Sequence, residues 1–208
     1  ENSNLSARAQ SALAKIQSSA ERLAHLTAGL QHNVTLDSET DYSLVNLSDS
    51  LSAALDKVRE TSNFHTFQVI ADTLPSINGN PVQLKLLFYH LLDNAIKFRK
   101  PEGELTIRIT HTLLEENFYQ SVPGKYKFVE HVRIMLSDNG SGFDDRYSEY
   151  VFELMKKIHS NTDDLGIGLA LIRKIVHNHS GTIRITSQPG NGTNVILVLP
   201  VHLPVSGA

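Results

Sequence analysis

Residues 138–143 read DNGSGF and follow directly on the apolar run HVRIML at 131–136. A carboxylate, an amide and two glycines thus end a strand pattern. Taken alone, the stretch reads most simply as an Asp-Asn-Gly turn. It also has the makings of a ligand floor. A carboxylate at the end of a buried strand can accept a hydrogen bond from an exocyclic amine such as that of adenine. Gly140 and Gly142 let the chain turn and admit a flat ring closely. The choice between the two rests on what the rest of the chain offers.

The chain has 208 residues, 40% apolar and 20% charged, with a net charge of −3. That is ordinary for a globular protein able to bury a sizeable core. The charge gives no reason to expect nucleic acid or an anionic membrane surface as a partner. The chain has no cysteines, which excludes disulfides and thiolate metal sites and fits a reducing compartment. No apolar run approaches the roughly 20 residues of a bilayer span, and no signal-peptide pattern opens the chain. A cytoplasmic segment is the expectation, whether or not the parent protein is membrane-anchored.

Outward from 138–143 the pattern is mixed α and β. KYKFVEHVRIMLSD (125–138) and ELTIRITHTLL (104–114) read as strands of a hairpin turning across EENFYQSVPG. PVQLKLLFYHLLDNAIKF (81–98) reads as a long apolar helix with Pro81 in its first turn. LPSINGN before it reads as a turn-rich loop, FHTFQVIAD as a strand, and SDSLSAALDKVRE as a helix capped by Ser48 or Asp49. YSLVNL is a short strand. LGIGLALIRKIVHNH is a helix that begins at glycines, and GTIRITSQ and TNVILVLP are alternating strands joined by PGNG. The order implies an α+β two-layer sandwich with helices on one face of a mixed, mostly antiparallel sheet. Ahead of it, Ala9, Leu13, Ile16, Ala20, Leu23, Thr27 and Leu30 recur in alternating steps of four and three. That is a heptad stripe on a long helix with Ser6 as its cap, suited to a dimeric bundle, and NVTLDSETDY after it reads as linker. The expected division is helix and linker over 1–40, a compact domain over 41–202 and a tail over 203–208.

Two further stretches have chemistry to offer. In HLLDNAIKF (90–98), Asn94 and Lys97 lie three apart and His90 one turn before Asn94, all on one helical face. An amide oxygen can complete a magnesium shell and a lysine can meet phosphate. Polar residues on such a helix usually face solvent, but this one carries Leu91, Leu92, Ala95, Ile96 and Phe98 around them, so a buried polar group needs a partner. In DLGIGLALIRKI (164–175), Gly166 and Gly168 open a helix whose free amides suit phosphate, although a tight loop-to-helix entry needs glycine too. Neither a Walker A loop nor a dinucleotide fingerprint is present.

Together and in this order, the three stretches resemble the N, G1 and G2 boxes of the GHKL ATPase superfamily, whose nucleotide-binding design is the Bergerat fold. Within it, the resemblance is to the catalytic domain of sensor histidine kinases and covers residues 43–200. VFELMKKIH (151–159) looks like that family's F box, and NGT (191–193) like its last glycine-rich box. The first segment is similar to the second helix of the family's dimerisation and phosphotransfer hairpin. The first hairpin helix, which carries the acceptor histidine, is expected to lie outside this sequence: none of the ten histidines carries the acceptor pattern.

The resemblance implies ATP and Mg2+ as cofactors. Asp138 would bind the adenine amine, with Gly140, Gly142 and Phe143 shaping the pocket and the Thr193 hydroxyl supporting that contact. Asn94 would ligate magnesium and Lys97 would meet phosphate. Gly166 and Gly168 would offer amides to the phosphates, with Leu169 beneath them. His90 stands where the family usually has asparagine, placed to polarise or to bond a phosphate. The reaction implied is transfer of the γ-phosphoryl group to a histidine for relay to a response regulator's receiver domain, within a homodimer paired through the hairpin. The sequence departs from the family at Met155 and Lys157 in the F box, and in a short lid, SNTDDL, whose Asp163 and Asp164 would repel a triphosphate. The short lid and Asp164 support an alternative, a degenerate domain that holds nucleotide or scaffolds a dimer without turnover, and intact Asn94, Asp138, Gly142, Gly166 and Gly168 speak against it. The heptad helix speaks against other GHKL ATPases.

Overall fold

A computed structural model describes residues 41–62, 64–119, 126–152 and 167–202. The heptad segment, the lid, most of the F box, Gly166 and the tail lie outside them. In chain order the elements are β1 (Ser43–Asn46), α1 (Leu47–Thr61), β2 (Phe67–Ala71), β3 (Ser76–Gly79), α2 (Pro81–Lys97), β4 (Leu105–Tyr119), β5 (Tyr126–Asp138), two 3-10 turns (Asp145–Tyr147 and Tyr150–Phe152), α3 (Gly168–Asn178), β6 (Thr182–Gln188) and β7 (Gly192–Pro200). The main sheet runs β2-β4-β5-β7-β6. Only β2 and β4 pair in parallel; the other neighbours are antiparallel.

Helix boundaries follow side-chain caps. Asn46, the last residue of β1, turns its Oδ1 onto the Ser48 and Asp49 amides and so caps α1. The helix therefore starts ahead of the expected Ser48 or Asp49 cap. Ser48 is occupied elsewhere, its Oγ accepting from the Leu74 N–H at 2.8 Å. Asn80 caps α2 through the Val82 and Gln83 amides, with Pro81 in the first turn where no donor is missed.

Three other expectations need correction. LPSINGN is not all loop: β3 lies within it and pairs antiparallel with β1, Ser43 opposite Gly79 and Asn46 opposite Ser76. Its strand character comes from a partner about thirty residues upstream, which no local pattern reveals. β2 is shorter than FHTFQVIAD because its pairing with β4 spans only Phe67–Ala71 against Leu105–Ile109. The β4–β5 hairpin runs on through EENFY, with Tyr119 still opposite Tyr126.

One face of the sheet is apolar and carries the helices. Leu105, Ile107 and Ile109 of β4, Val132, Ile134 and Leu136 of β5, Ile185 of β6, and Val195, Leu197 and Leu199 of β7 are all buried. They alternate with exposed Arg108, Arg133, Met135 and Arg184 on the opposite face. Helix α2 lies between α1 and α3 and supplies Leu84, Leu87, Phe88, Leu91 and Leu92 to the core.

His179 ties the end of α3 to the start of α2. Its Nε2 accepts from the Asn80 N–H at 3.0 Å, and its Nδ1 lies 2.7 Å from the Ile175 carbonyl, so Nδ1 holds the proton and the ring is neutral. The Tyr42 ring packs against it at 5.3 Å. Burial pushes this imidazole below its ordinary value of 6.5, against the opposing pull of the Ile175 bond. The unfolded ring therefore takes a proton first. Stability from this group is full above about 6.5 and is lost as pH falls through that value towards the lower native one. Urea midpoints are expected to drop between pH 7.5 and 5.5, with a slope from this group of at most about 1.4 kcal/mol per pH unit. His179→Gln is expected to give a less stable chain with a shallower dependence. An unchanged slope in that variant would refute the assignment.

Candidate functional site

The cross-strand register sets the site. Ile107, Asp138, Thr193 and Ser187 stand opposite one another in one row across β4, β5, β7 and β6. Directly paired residues point to the same side of a sheet. All four share the parity of the buried positions on their strands, so the apolar face that carries the helices ends in a polar row, Asp138–Thr193–Ser187. Asp138 Oδ1 accepts from the Gly140 N–H at 2.8 Å and the Thr193 N–H at 3.3 Å. No hydrogen bond from the described residues reaches Oδ2. Burial pushes the carboxyl above its ordinary 3.8, with the two backbone N–H groups pulling the other way.

The loop after β5 is strapped on both sides. The Ser141 N–H donates to the Phe98 carbonyl at 2.8 Å and the Ser141 hydroxyl to that of Arg99 at 3.1 Å, which ties the loop to the end of α2. The Gly190 N–H donates to the Ser141 carbonyl at 2.7 Å from the β6–β7 turn. Asn139 sits between the Glu104 carbonyl and the Thr106 N–H, each at 2.9 Å, and so prolongs the edge of β4. A side chain at Gly140 would press on the Phe98 carbonyl at 2.6 Å and on Asp138 Oδ1 at 2.7 Å. Gly142 has φ +61° with its Cα facing the Gln188 carbonyl, a conformation and a contact that both require glycine. Residues 138–143 are thus a turn, but one pinned at every step around a carboxylate.

Helices α2 and α3 bring the other two stretches together. A Cβ built on Gly168 would lie 3.4 Å from Asn94 Oδ1 and 3.6 Å from His90 Nδ1, so the start of α3 faces both side chains of α2. Asn94 is half-buried, and its Nδ2 meets no acceptor among the described residues. A buried N–H without an acceptor costs about 1–3 kcal/mol. Ile167, the N-cap of α3, has no side chain able to cap it. Lys97 lies on the outer side of this cluster and pairs with Asp93 at 2.6 Å. Leu169 is half-buried against the core, as is Phe143.

The Thr193 hydroxyl does not go to Asp138. Its backbone N–H makes that contact, and the hydroxyl lies 3.1 Å from Ser187 Oγ. Ser187 itself escaped the sequence reading. Its Oγ accepts from the Phe143 N–H at 2.9 Å and donates to the Gly192 carbonyl at 2.8 Å. Its N–H donates to Asp145 Oδ1 at 3.2 Å. The available signal was alternation: in TIRITSQ, Ser187 falls on the inward parity of Ile183 and Ile185.

A five-stranded sheet with three helices on one face, an acidic residue closing a central strand and an asparagine opposite a glycine-led helix define a class of nucleotide-binding ATPase domain. Residues 79–203 match the family described as histidine kinase-, DNA gyrase B-, and HSP90-like ATPase, and the chain belongs to it. It is 30% identical over 162 residues to cyanobacterial phytochrome A of Nostoc sp., which covers 77% of this chain and 19% of the relative. It is 29% identical over 157 residues to the adaptive-response sensory kinase SasA of Synechococcus elongatus, covering 73% of this chain and 37% of that protein. The chain thus spans well under half the length of these two curated relatives. The solved mycobacterial sensor histidine kinase MprB superposes with a TM-score of 0.58 at 24% identity, over 79% of this chain and all of that one, and shares the fold. The chain carries the ATP-binding catalytic domain of the sensor-histidine-kinase type. Among the described residues no helix is long and apolar enough to cross a membrane.

Proposed function

We infer that this chain is the catalytic part of a sensor histidine kinase that presents the γ-phosphoryl group of ATP to a histidine. The observation that carries the reading is Asp138. One carboxylate oxygen is held by two backbone N–H groups and the other is left by the described residues, on the sheet face that also carries Asn94 and the start of α3. Asp138 Oδ2 would accept the adenine amine. Gly140, Gly142 and Phe143 would line the base, and the amides from Gly168 onward would meet phosphate. Gly166 and Leu169 complete that rim in this reading.

Magnesium fits Asn94. The half-buried side chain turns its Oδ1, an oxygen able to ligate the ion, towards the start of α3, and among the described residues no group of three or more His, Cys, Asp or Glu could hold a metal without the nucleotide. The ion would arrive with the phosphates, Asn94 Oδ1 completing its shell, and would neutralise phosphate charge. Lys97, paired with Asp93 at 2.6 Å, would turn a further ammonium N–H to a phosphate. His90, whose Nδ1 faces Gly168, would bond a phosphate or polarise the attacking imidazole. The domain contributes position and charge rather than covalent chemistry. Residues 1–40 would supply the second hairpin helix and linker, 41–202 the catalytic domain and 203–208 a tail, in a homodimer that passes phosphate to a receiver domain.

The test is magnesium dependence. A non-hydrolysable ATP analogue is titrated into wild type and Asn94→Ala, with and without Mg2+. Asn94→Ala is expected to lose about tenfold or more in affinity with magnesium present and little in its absence. Equal losses under both conditions would remove Asn94 from the metal.

A further inference from the structure

The polar row allows a complete count of its protons. The Ser187 hydroxyl has one hydrogen to give and two lone pairs to fill. The Gly192 carbonyl, 2.8 Å away, can only accept, so it takes that hydrogen. The Phe143 N–H, at 2.9 Å, can only donate, so it fills one lone pair. The remaining contact, Thr193 Oγ1 at 3.1 Å, must then supply its own proton to Ser187. Thr193 Oγ1 is left with lone pairs alone. Its neighbour in the row, Asp138, ends in an ionised oxygen that likewise only accepts.

We propose that Ser187 is a specificity-determining residue. By consuming the Thr193 hydroxyl proton it makes the row an acceptor-only surface, which takes an amino group at position six of a purine and rejects an oxo group there. This rests on the reading of Asp138 as the base contact. An amino group offers two hydrogens to Asp138 Oδ2 and Thr193 Oγ1. A 6-oxo purine would turn a carbonyl oxygen towards two acceptors, and a buried acceptor facing acceptors is left unpaired. With Ser187 removed, the threonine hydroxyl is free to rotate and donate to such a carbonyl. Ser187 would thus act without touching the base.

ATP and ITP, which differ only along the N1–C6 edge (a bare N1 and an amino group in the first, an N1–H and an oxo group in the second), are the probes. Their dissociation constants are measured with Mg2+ on the full chain, with thermal melts alongside, for wild type, Ser187→Ala, Thr193→Val and the double variant. Wild type is expected to prefer ATP by about 100-fold or more. Ser187→Ala should reduce that ratio roughly tenfold. Thr193→Val, which removes that acceptor outright, should weaken ATP and lower the ratio, and the double variant should match Thr193→Val, because without the hydroxyl the loss of Ser187 has nothing further to release. Loss of an ordinary structural contact would instead weaken both nucleotides in parallel. If Ser187→Ala does not fold, Ser187→Cys, a poor donor and acceptor that fills the space, takes its place. An unchanged ratio in the Ser187 variant, beside an Asp138→Asn chain that no longer binds ATP, overturns the proposal alone. A folded wild-type chain that does not bind ATP, or whose binding survives Asp138→Asn, overturns both it and the adenine reading.

Discussion

Asp138→Asn is expected to lower affinity for ATP by about 100-fold or more while leaving the ligand-free chain at least as stable as before. The geometry decides the sign. The Gly140 and Thr193 N–H groups both point at one side-chain oxygen, so the asparagine will keep its own oxygen there. Its NH2 group then occupies the place of Oδ2 and meets the adenine amine donor to donor. Stability moves differently. Burial raises the native pKa of this carboxyl, so its protonated form is favoured by folding. That contribution is full below 3.8 and is lost as pH rises through the raised native value. At neutral pH the ionised group is therefore a burden on the ligand-free fold, and the neutral amide relieves it. Calorimetric titration and a thermal melt on the same sample check both halves. A variant that unfolds but binds in proportion to its folded fraction would show Asp138 to be structural.

The largest expected loss of stability is at Gly192. This residue has φ +82°, and a Cβ on it would overlap the Asp138 carbonyl oxygen. A turn residue forced off glycine costs about 1–3 kcal/mol in backbone strain alone. The clash comes on top, because it falls on backbone that cannot swing aside. It would push β5 and β7 apart at Asp138–Thr193, the last pair of their ladder. Gly192→Ala is expected to cost about 3 kcal/mol or more and to lower Tm by on the order of 10 °C. Nucleotide binding should fall with it, since the Asp138 bond from Thr193 is the next contact along. Gly190, at φ +79° in the same turn but with open space around its Cα, should suffer the strain without the clash and lose less. Equal losses at the two positions would contradict the account.

Much of this was legible in the sequence because local chemistry and final environment agree. Pro81 after Asn80 marks a helix start, the alternation of residues 104–109 and 182–188 marks half-buried strands, and a carboxylate followed by two close glycines marks a pinned turn. What the sequence concealed depended on partners far along the chain. β3 is a strand only because β1 lies beside it. Asn46 displaces the better-looking Ser48 as cap because Ser48 is drawn to Leu74. The Asp138–Thr193–Ser187 row exists only once three strands are in register, so neither the Thr193 N–H bond to Asp138 nor the place of Ser187 beside it can be read from local pattern. The face shared by Asn94 and Gly168 likewise needs α2 and α3 to cross, although helical spacing alone puts His90 and Asn94 together.

The most direct test of the central claim is a crystal structure of this chain with Mg2+ and a non-hydrolysable ATP analogue. The adenine amine is expected within hydrogen-bonding distance of Asp138 Oδ2, at about 2.7–3.2 Å. The metal is expected on Asn94, with the phosphates against the first turn of α3. A nucleotide bound elsewhere, or with its base turned away from Asp138, would contradict the account.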